Sequence, residues 1–227
     1  MTRKTIFRLS FALACLLFNS GNFDAVAGDE DRILAVAQNM QAAFKGLEDY
    51  SCEVEQIFYQ NGEENQRFSF KFYFKKKKKI RVDFSHPHPG LTIIYRDSET
   101  KVTVIPFRSP AFKFRLSVDN PLIKTPAGQR INQTDMGYFI DFLSKNVKKV
   151  SQEENAFYED ERRVEFLFWA LDYIEERSLE KYRISISKIY WLPIRIERYS
   201  IEGKLREVSD IKNYVLNAHI DDKFFQP

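Results

Sequence analysis

The chain has 227 residues, with 35 Lys and Arg against 32 Asp and Glu and a formal charge of +3. That near balance gives no bulk-charge argument for nucleic acid, and a hydrophobic content of 44% is too high for a disordered chain. With 21 phenylalanines and 2 cysteines, the fold must rest on an apolar core and not on a disulfide framework.

Residues 1–27 read as a cleavable export signal. Arg3, Lys4 and Arg8 give a positive start, Leu9 to Phe18 form an apolar run, and Ala25-Val26-Ala27 is a small-x-small cleavage site. The run is too short to span a membrane. Cleavage after about Ala27 would leave residues 28–227 as a single domain in the periplasm, with the formal charge lowered to about +1 by loss of Arg3, Lys4, Arg8 and Asp24. Lipidation at Cys15 is the rival reading. Ala12-Leu13-Ala14-Cys15 is a poor lipidation box, and the apolar run continues past it. Only Cys52 would then remain, which rules out an intramolecular disulfide.

Ile33, Val36, Met40, Phe44 and Leu47 recur at spacings of three and four, which predicts an amphipathic helix from Asp29 to about Leu47. Tyr50 to Tyr59 reads as a strand, and Asn61-Gly62 as a hairpin turn. In the returning strand Phe68, Phe70, Phe72 and Phe74 share one face, opposite Arg67, Ser69, Lys71, Tyr73 and Lys75. The alternation continues through Ile80, Val82 and Phe84, then Leu91, Ile93 and Tyr95, then Val102 and Val104, then Phe112, Phe114, Leu116 and Val118. Turn chemistry at Pro87 to Gly90 and at Asp97 to Thr100 separates these runs.

Pro121 to Gln133 reads as an irregular connection. Thr134 is placed to cap a second helix with Met136, Phe139, Ile140, Leu143 and Val147 on its apolar stripe. Val164, Phe166 and Phe168 then face one way while Leu167, Trp169 and Leu171 face the other, which predicts a strand covered on both sides. Tyr182 to Ile189, Leu192 to Tyr199 and Arg206 to Leu216 are further strands, with a turn at Glu202-Gly203. Phe224 and Phe225 are expected to pin the C-terminus.

The predicted class is α+β: a large curled antiparallel sheet, an incomplete β-barrel, with an N-terminal helix and an inserted lid helix on its concave side. A sheet of roughly nine to eleven strands curls, and two helices would struggle to fill the concave face. A leftover apolar cavity is the expected product. Its expected lining is Phe68, Phe70, Phe72, Phe74, Val82, Phe84, Ile93, Tyr95, Phe114, Leu116, Phe139, Leu143, Phe166 and Phe168. The competing reading is that these rings simply pack against one another as core.

The mature start "GLEDYSCEVEQ", the segment "FYFKKKKKIRVDFSHPHPGLTIIYRDSETKVTVIPF" and the tail "YWLPIRIERYSIEGKLREVSDIKNYVLNAHIDDKFF" together resemble the LolA/LolB-like superfamily of periplasmic lipoprotein carriers and their outer-membrane acceptors. The stretch "LSVDNPLIKTPAGQRINQTDMGYFIDFLSKNV" looks more like an exported DUF1571-type subgroup of that superfamily. The resemblance implies a half-barrel whose hydrophobic cavity holds the acyl chains of a lipid or lipoprotein and passes them on without covalent chemistry. It implies a donor or acceptor protein in the inner or outer membrane, transient contact with a membrane surface, no nucleic acid and no cofactor. The family's carriers use an Arg in a basic-Pro corner to hold the lid shut. Lys76 lies nearest that position, Lys77 replaces the Pro, and Lys76 and Arg81 are the implied lid or headgroup contacts. An envelope regulator that senses lipid or protein with the same fold is the alternative reading.

The run Lys75 to Lys79 reads either as a docking patch for anionic headgroups or as a solvated hairpin corner that discourages edge pairing. His86-Pro87-His88 has no Cys or carboxylate at ligand spacing, so no metal site is predicted. Glu63-Glu64, Glu153-Glu154, Glu175-Glu176 and Asp221-Asp222 are adjacent pairs and poor acid/base candidates. Cys52 reads as a buried structural thiol. No catalytic residue is nominated.

Overall fold

A computed structural model describes residues 29–97, 99–109, 111–146, 156–172, 174 and 178–227. The export signal at 1–27, Val147 and the pairs Glu153-Glu154 and Glu175-Glu176 lie outside the described residues. Helix α1 (Asp29–Gly46) leads into β1 (Asp49–Gln60), β2 (Glu63–Lys75), β3 (Lys79–His86), β4 (Thr92–Arg96), β5 (Lys101–Ile105) and β6 (Phe114–Ser117). Helix α2 (Met136–Asn146) comes next. The chain then forms β7 (Phe157–Glu159), β8 (Arg163–Leu171), β9 (Leu179–Ser187), β10 (Leu192–Tyr199) and β11 (Leu205–Leu216).

All the strands join one antiparallel sheet in the order β6-β5-β4-β3-β2-β1-β11-β10-β9-β8-β7. Each half is a meander of neighbours in sequence. The two halves meet where β1 pairs with β11, with Val54 opposite Ile211 and Gln56 opposite Ser209. Among the described residues the edge strands β6 and β7 do not pair with each other, so the sheet curls without closing. The predicted α+β half-barrel is the observed architecture.

Local chemistry explains the turns. Asn61 and Gly62 both adopt positive φ, at 56° and 86°, and this two-residue turn matches the twist of β1 and β2. The register then sets Tyr50 opposite Phe74, Cys52 opposite Phe72 and Val54 opposite Phe70. Period two therefore keeps one face apolar across β1, β2 and β3, where Phe72 faces Val82 and Phe74 faces Ile80.

Helix α1 buries Ile33, Val36, Ala37 and Met40 on this concave face, and α2 buries Met136, Phe139, Ile140, Phe142 and Leu143. The helix cap differs by one residue from expectation. Asp135 accepts the Tyr138 amide at 3.1 Å, whereas the Thr134 hydroxyl turns back to the Ile131 carbonyl at 2.6 Å. The Asp side chain reaches the third amide of the helix, and Thr134 is already committed to the preceding turn. The Tyr50 hydroxyl accepts the Met136 amide at 3.1 Å, tying α2 to β1.

Two further expectations are corrected. Strand β8 is covered unequally: Val164, Phe166, Phe168 and Ala170 are buried on one face, while on the other Leu167 is buried, Trp169 is half-buried and only Leu171, at the strand end, is exposed. Phe112 lies before β6, and both Phe112 and Phe114 are exposed, since this short edge strand extends past the reach of the helices.

The opposite face of the sheet carries a second, smaller core. Phe225 is buried with Ile94 and Ile105, and Phe224 packs edge-on against Tyr73 with centroids 4.7 Å apart. The lysine corner holds this tail. Lys75 and Lys79 contact Asp222 at 2.9 and 2.7 Å, and Lys75 also donates to the Ile220 carbonyl at 2.6 Å. Lys76 instead ties the end of α1, donating to the Lys45 carbonyl at 2.9 Å and to Glu48 at 3.1 Å. Lys78 approaches Asp135 at the start of α2, at 3.3 Å. The run is thus a junction of internal contacts, which neither sequence reading anticipated.

A Cβ added to Gly137 would lie 2.7 Å from the Phe44 ring and 2.9 Å from Asp135 Oδ1, so the two helices touch where only glycine fits. Gly137→Ala is therefore expected to destabilise the fold by about 1–3 kcal/mol in urea titration, and a Phe44→Ala background should remove most of that penalty. The Asp222 carboxyl is held down at about 2 by hydrogen bonds from Lys79 and Lys75. With an ordinary value near 3.9 when undocked, its contribution is full above about pH 4 and is lost as pH falls through about 2. Amide exchange at 220–225 should rise across that window, and Asp222→Asn should abolish the pH dependence.

Candidate ligand-binding cavity

The concave face is filled unevenly. Around β8 and β9 the rings of Phe142, Phe166, Phe168 and Tyr182 form a solid plug, with Phe168 stacked on Tyr182 at 5.4 Å and Phe142 edge-on to Tyr182 at 5.2 Å. Around β1, β2 and β3 no comparable set of side chains projects from the helices. A cavity of about 480 Å3 remains there. That size lies within the range of about 300–1,000 Å3 common for small-ligand sites.

Its floor is Cys52, Val54 and Gln56 of β1, Phe68, Phe70 and Phe72 of β2, Val82 and Phe84 of β3, Ile93 of β4, Ile196 of β10, and Ser209 and Ile211 of β11. Met136 and Phe139 of α2 close one side. The roof is the connection after β6, with Pro121, Leu122, Ile123, Thr125, Pro126, Gln129 and Ile131. Leu122, at the rim, is 85% exposed.

Seven of the residues expected at the cavity line it: Phe68, Phe70, Phe72, Val82, Phe84, Ile93 and Phe139. The others lie elsewhere. Phe74 stacks on Tyr50 at 5.2 Å and meets Phe44 at 5.7 Å, beneath the helices. Tyr95 is buried farther along the same row. Leu143, Phe166 and Phe168 belong to the packed half of the core. Leu116 is half-buried on the edge strand β6, and Phe114 there is exposed. Lys76 reaches the end of α1 and not the roof. Arg81 is on the far face, stacked over Phe224 at 4.3 Å and bonded to Asp83 and to the Phe224 carbonyl, because it alternates with Ile80 and Val82.

Sequence reasoning missed the roof. Its order comes from short backbone turns, such as the Thr125 amide bonded to the Gln129 carbonyl at 3.1 Å and the Gly128 amide to the Thr125 carbonyl at 2.8 Å, reinforced by side chains. Asn120 accepts from the Leu122 amide at 3.0 Å, Thr125 from the Gln129 amide at 3.0 Å, and Gln129 donates to the Gln133 carbonyl at 2.9 Å. The signal available was an apolar Leu122-Ile123 pair inside a stretch read as an irregular connection. The roof ends at Asp135, so the Lys78 contact and the Tyr50 hydrogen bond anchor roof and helix together.

The lining offers an apolar contact surface. Burial pushes the Cys52 thiol up to about 12, with Glu53 adding to the effect, so no thiolate forms at neutral pH. Among the described residues no group of three or more His, Cys, Asp or Glu side chains is placed to hold a metal ion. Apolar walls with scattered Gln side chains offer contact area to a chain of methylenes, each worth about 0.8 kcal/mol when buried.

No protein-family model and no curated protein matches this sequence. Solved structures with a similar chain course include a LolA superfamily protein from Nitrosomonas europaea, 14% identical, covering 88% of this chain and 99% of that one with a TM-score of 0.40. They also include the lipoprotein LppX of Mycobacterium tuberculosis, 9% identical, covering 84% and 98% with a TM-score of 0.48. A third is in the MucA/MucB complex of Pseudomonas aeruginosa, 8% identical, covering 86% of this chain and 61% of that one with a TM-score of 0.48. At such low identity these are likenesses of form, and the chemistry of the cavity stands on its own residues.

Val54→Trp directs an indole into the hollow from the middle of β1. It should weaken binding of the neutral apolar fluorophore N-phenyl-1-naphthylamine by at least about tenfold, a loss of about 1.4 kcal/mol, without lowering the unfolding midpoint. Undiminished binding would place the fluorophore outside the cavity.

Proposed function

We propose that this chain is an exported carrier that holds an acyl chain of a lipid or lipoprotein in the hollow beside β1, β2 and β3 and passes it on without covalent chemistry. The observation that supports it is the cavity itself: in a chain rich in phenylalanine, the core is solid on one side and hollow on the other. A hollow lined by Phe68, Phe70, Val82 and Ile211 leaves apolar surface whose burial by a guest is favourable. Release requires only that the roof lift. Its ties to the sheet at Lys78–Asp135 and Tyr50–Met136 are polar contacts that can break and reform, while the packed half stays intact. The leader at residues 1–27 favours the periplasm as the site of action.

Native mass spectrometry after gentle purification from a Gram-negative host tests this reading. The wild-type chain should carry added mass that fragments to acyl groups, and the Val54→Trp chain should emerge without it. A wild-type chain that is always empty, and that fails to move a fluorescent acyl lipid between vesicles, would contradict the proposal.

A further inference from the structure

Beyond the apolar hollow the same concave face turns ionic. Along β10 it passes from Ile196 to Arg198, and along β11 from Ile211 through Ser209 to Glu207. Along β9 it passes from Tyr182 to Glu180, and past the end of β8 from Ala170 to Asp172. Residues two apart share a face, so all four steps lie on the side of the cavity. Arg198 contacts Asp172 at 3.2 Å, Glu180 at 3.3 Å and Glu207 at 3.1 Å, all four side chains being buried. Desolvating four charges is costly, and well-packed apolar side chains would serve a merely structural wall at least as well.

These charges do not face solid core. A second hollow of about 440 Å3 is lined by Asp172, Glu180, Arg198, Arg206 and Lys124. It shares Pro121, Lys124, Thr125 and Pro126 with the apolar cavity, so one segment of roof covers both. Glu180 is 2% exposed, and its Oε2 accepts no hydrogen bond. Burial raises the Glu180 pKa even though Arg198 pulls the other way. Arg206 is half exposed and only loosely paired with Glu180, at 3.7 Å. Lys124 is half-buried at the junction of the two hollows, and its side chain has no ion-pair or hydrogen-bond partner among the described residues.

We infer that the second hollow is a headgroup subsite: Lys124 and Arg206 bind the phosphate of a phospholipid-type amphiphile, and Glu180 with Asp172 receives an amine carried on that phosphate. This rests on the reading of the first hollow as an acyl site. The order of groups fits such a molecule, with tail in the apolar cavity, phosphate at the cations on the boundary, and ammonium at the carboxylates beyond. A phosphate needs accessible cations: the Lys124 ammonium has no ion pair among the described residues, and Arg206 keeps only the loose 3.7 Å contact with Glu180. An amine finds an acceptor in Glu180 Oε2, which accepts no hydrogen bond although Arg198 lies 3.3 Å away.

Displacement of N-phenyl-1-naphthylamine by short-chain ligands below their micelle concentrations tests the assignment. Dioctanoyl phosphatidylethanolamine should displace it at least about tenfold more tightly than dioctanoylglycerol, which has the same tails and no phosphate. The Lys124→Gln, Arg206→Gln double variant should erase that advantage and leave dioctanoylglycerol unchanged. Both side chains are partly exposed, so folding is not at risk. Glu180→Gln should bring phosphatidylethanolamine down to the level of dioctanoyl phosphatidylglycerol. Equal binding of all three lipids, unaltered by the double variant, overturns the headgroup subsite and leaves the acyl cavity standing. Binding of glycerophosphoethanolamine as tightly as the intact lipid overturns the joined two-part site. Failure of every lipid to displace the fluorophore overturns the acyl reading as well.

Discussion

A curled sheet of this width encloses more volume than the two helices on its concave side can occupy, and the cavity exists because they fill only one half of it. Helix α2 sends Phe142 into β8 and β9, where it joins Phe168 and Tyr182 in a cluster with ring centroids 5.2–5.9 Å apart. Helix α1 sends Phe44 only to Phe74, at one end of the β2 row. The rings of Phe68 and Phe70 meet Phe84 at 6.4 and 5.4 Å along the floor, and above them lies space. Aromatic rings held by neighbours on their own sheet keep the floor rigid, while the missing partners above leave a hollow that does not collapse.

The fold separates stability from binding. The plug and the β1·β11 seam supply the packed core. The roof is held by Ile131, buried in the main core, by Ile123 packed against it, and by polar contacts at Asn120, Thr125, Gln129 and Asp135. Such segments open at lower cost than core strands. The five lysines at the β2–β3 corner belong to the same division: Lys75 and Lys79 fix the C-terminal segment on the far face, Lys76 fixes the end of α1, and Lys78 touches the roof-to-helix junction. A charge run that resembles a docking patch in the sequence is, in the folded chain, mostly engaged at home.

Much of the architecture was legible because it is local. Period-two alternation in Phe68 to Phe74 set the face of β2, and Asn61-Gly62 set its turn. Parity also puts Arg81 away from the cavity, against the lid or headgroup contact that the family resemblance implied. The division between packed and hollow halves was not legible, since Phe166 and Phe70 carry the same alternating signature. Only the placement of α2, a contact far away in sequence, decides that one is core and the other wall. Phe114 shows the same limit, because alternation cannot tell an edge strand from a covered one. The roof was missed because its order comes from short isolated backbone turns and from Asn, Thr and Gln side chains bonding backbone, which leave no periodicity to read. The ionic cluster at Arg198 was missed for a related reason: its members come from β9, β10, β11 and the end of β8, and each alone is an ordinary charged residue.

Occupation of the hollow between Phe70 and Ile211 by an acyl chain is tested most directly by a crystal structure with a terminally brominated fatty acid. An anomalous bromine peak is expected inside the cavity, within van der Waals contact of those two side chains, and it should disappear in Val54→Trp crystals. Bromine found only on the outer surface of the sheet, with the cavity unchanged, would contradict an acyl site.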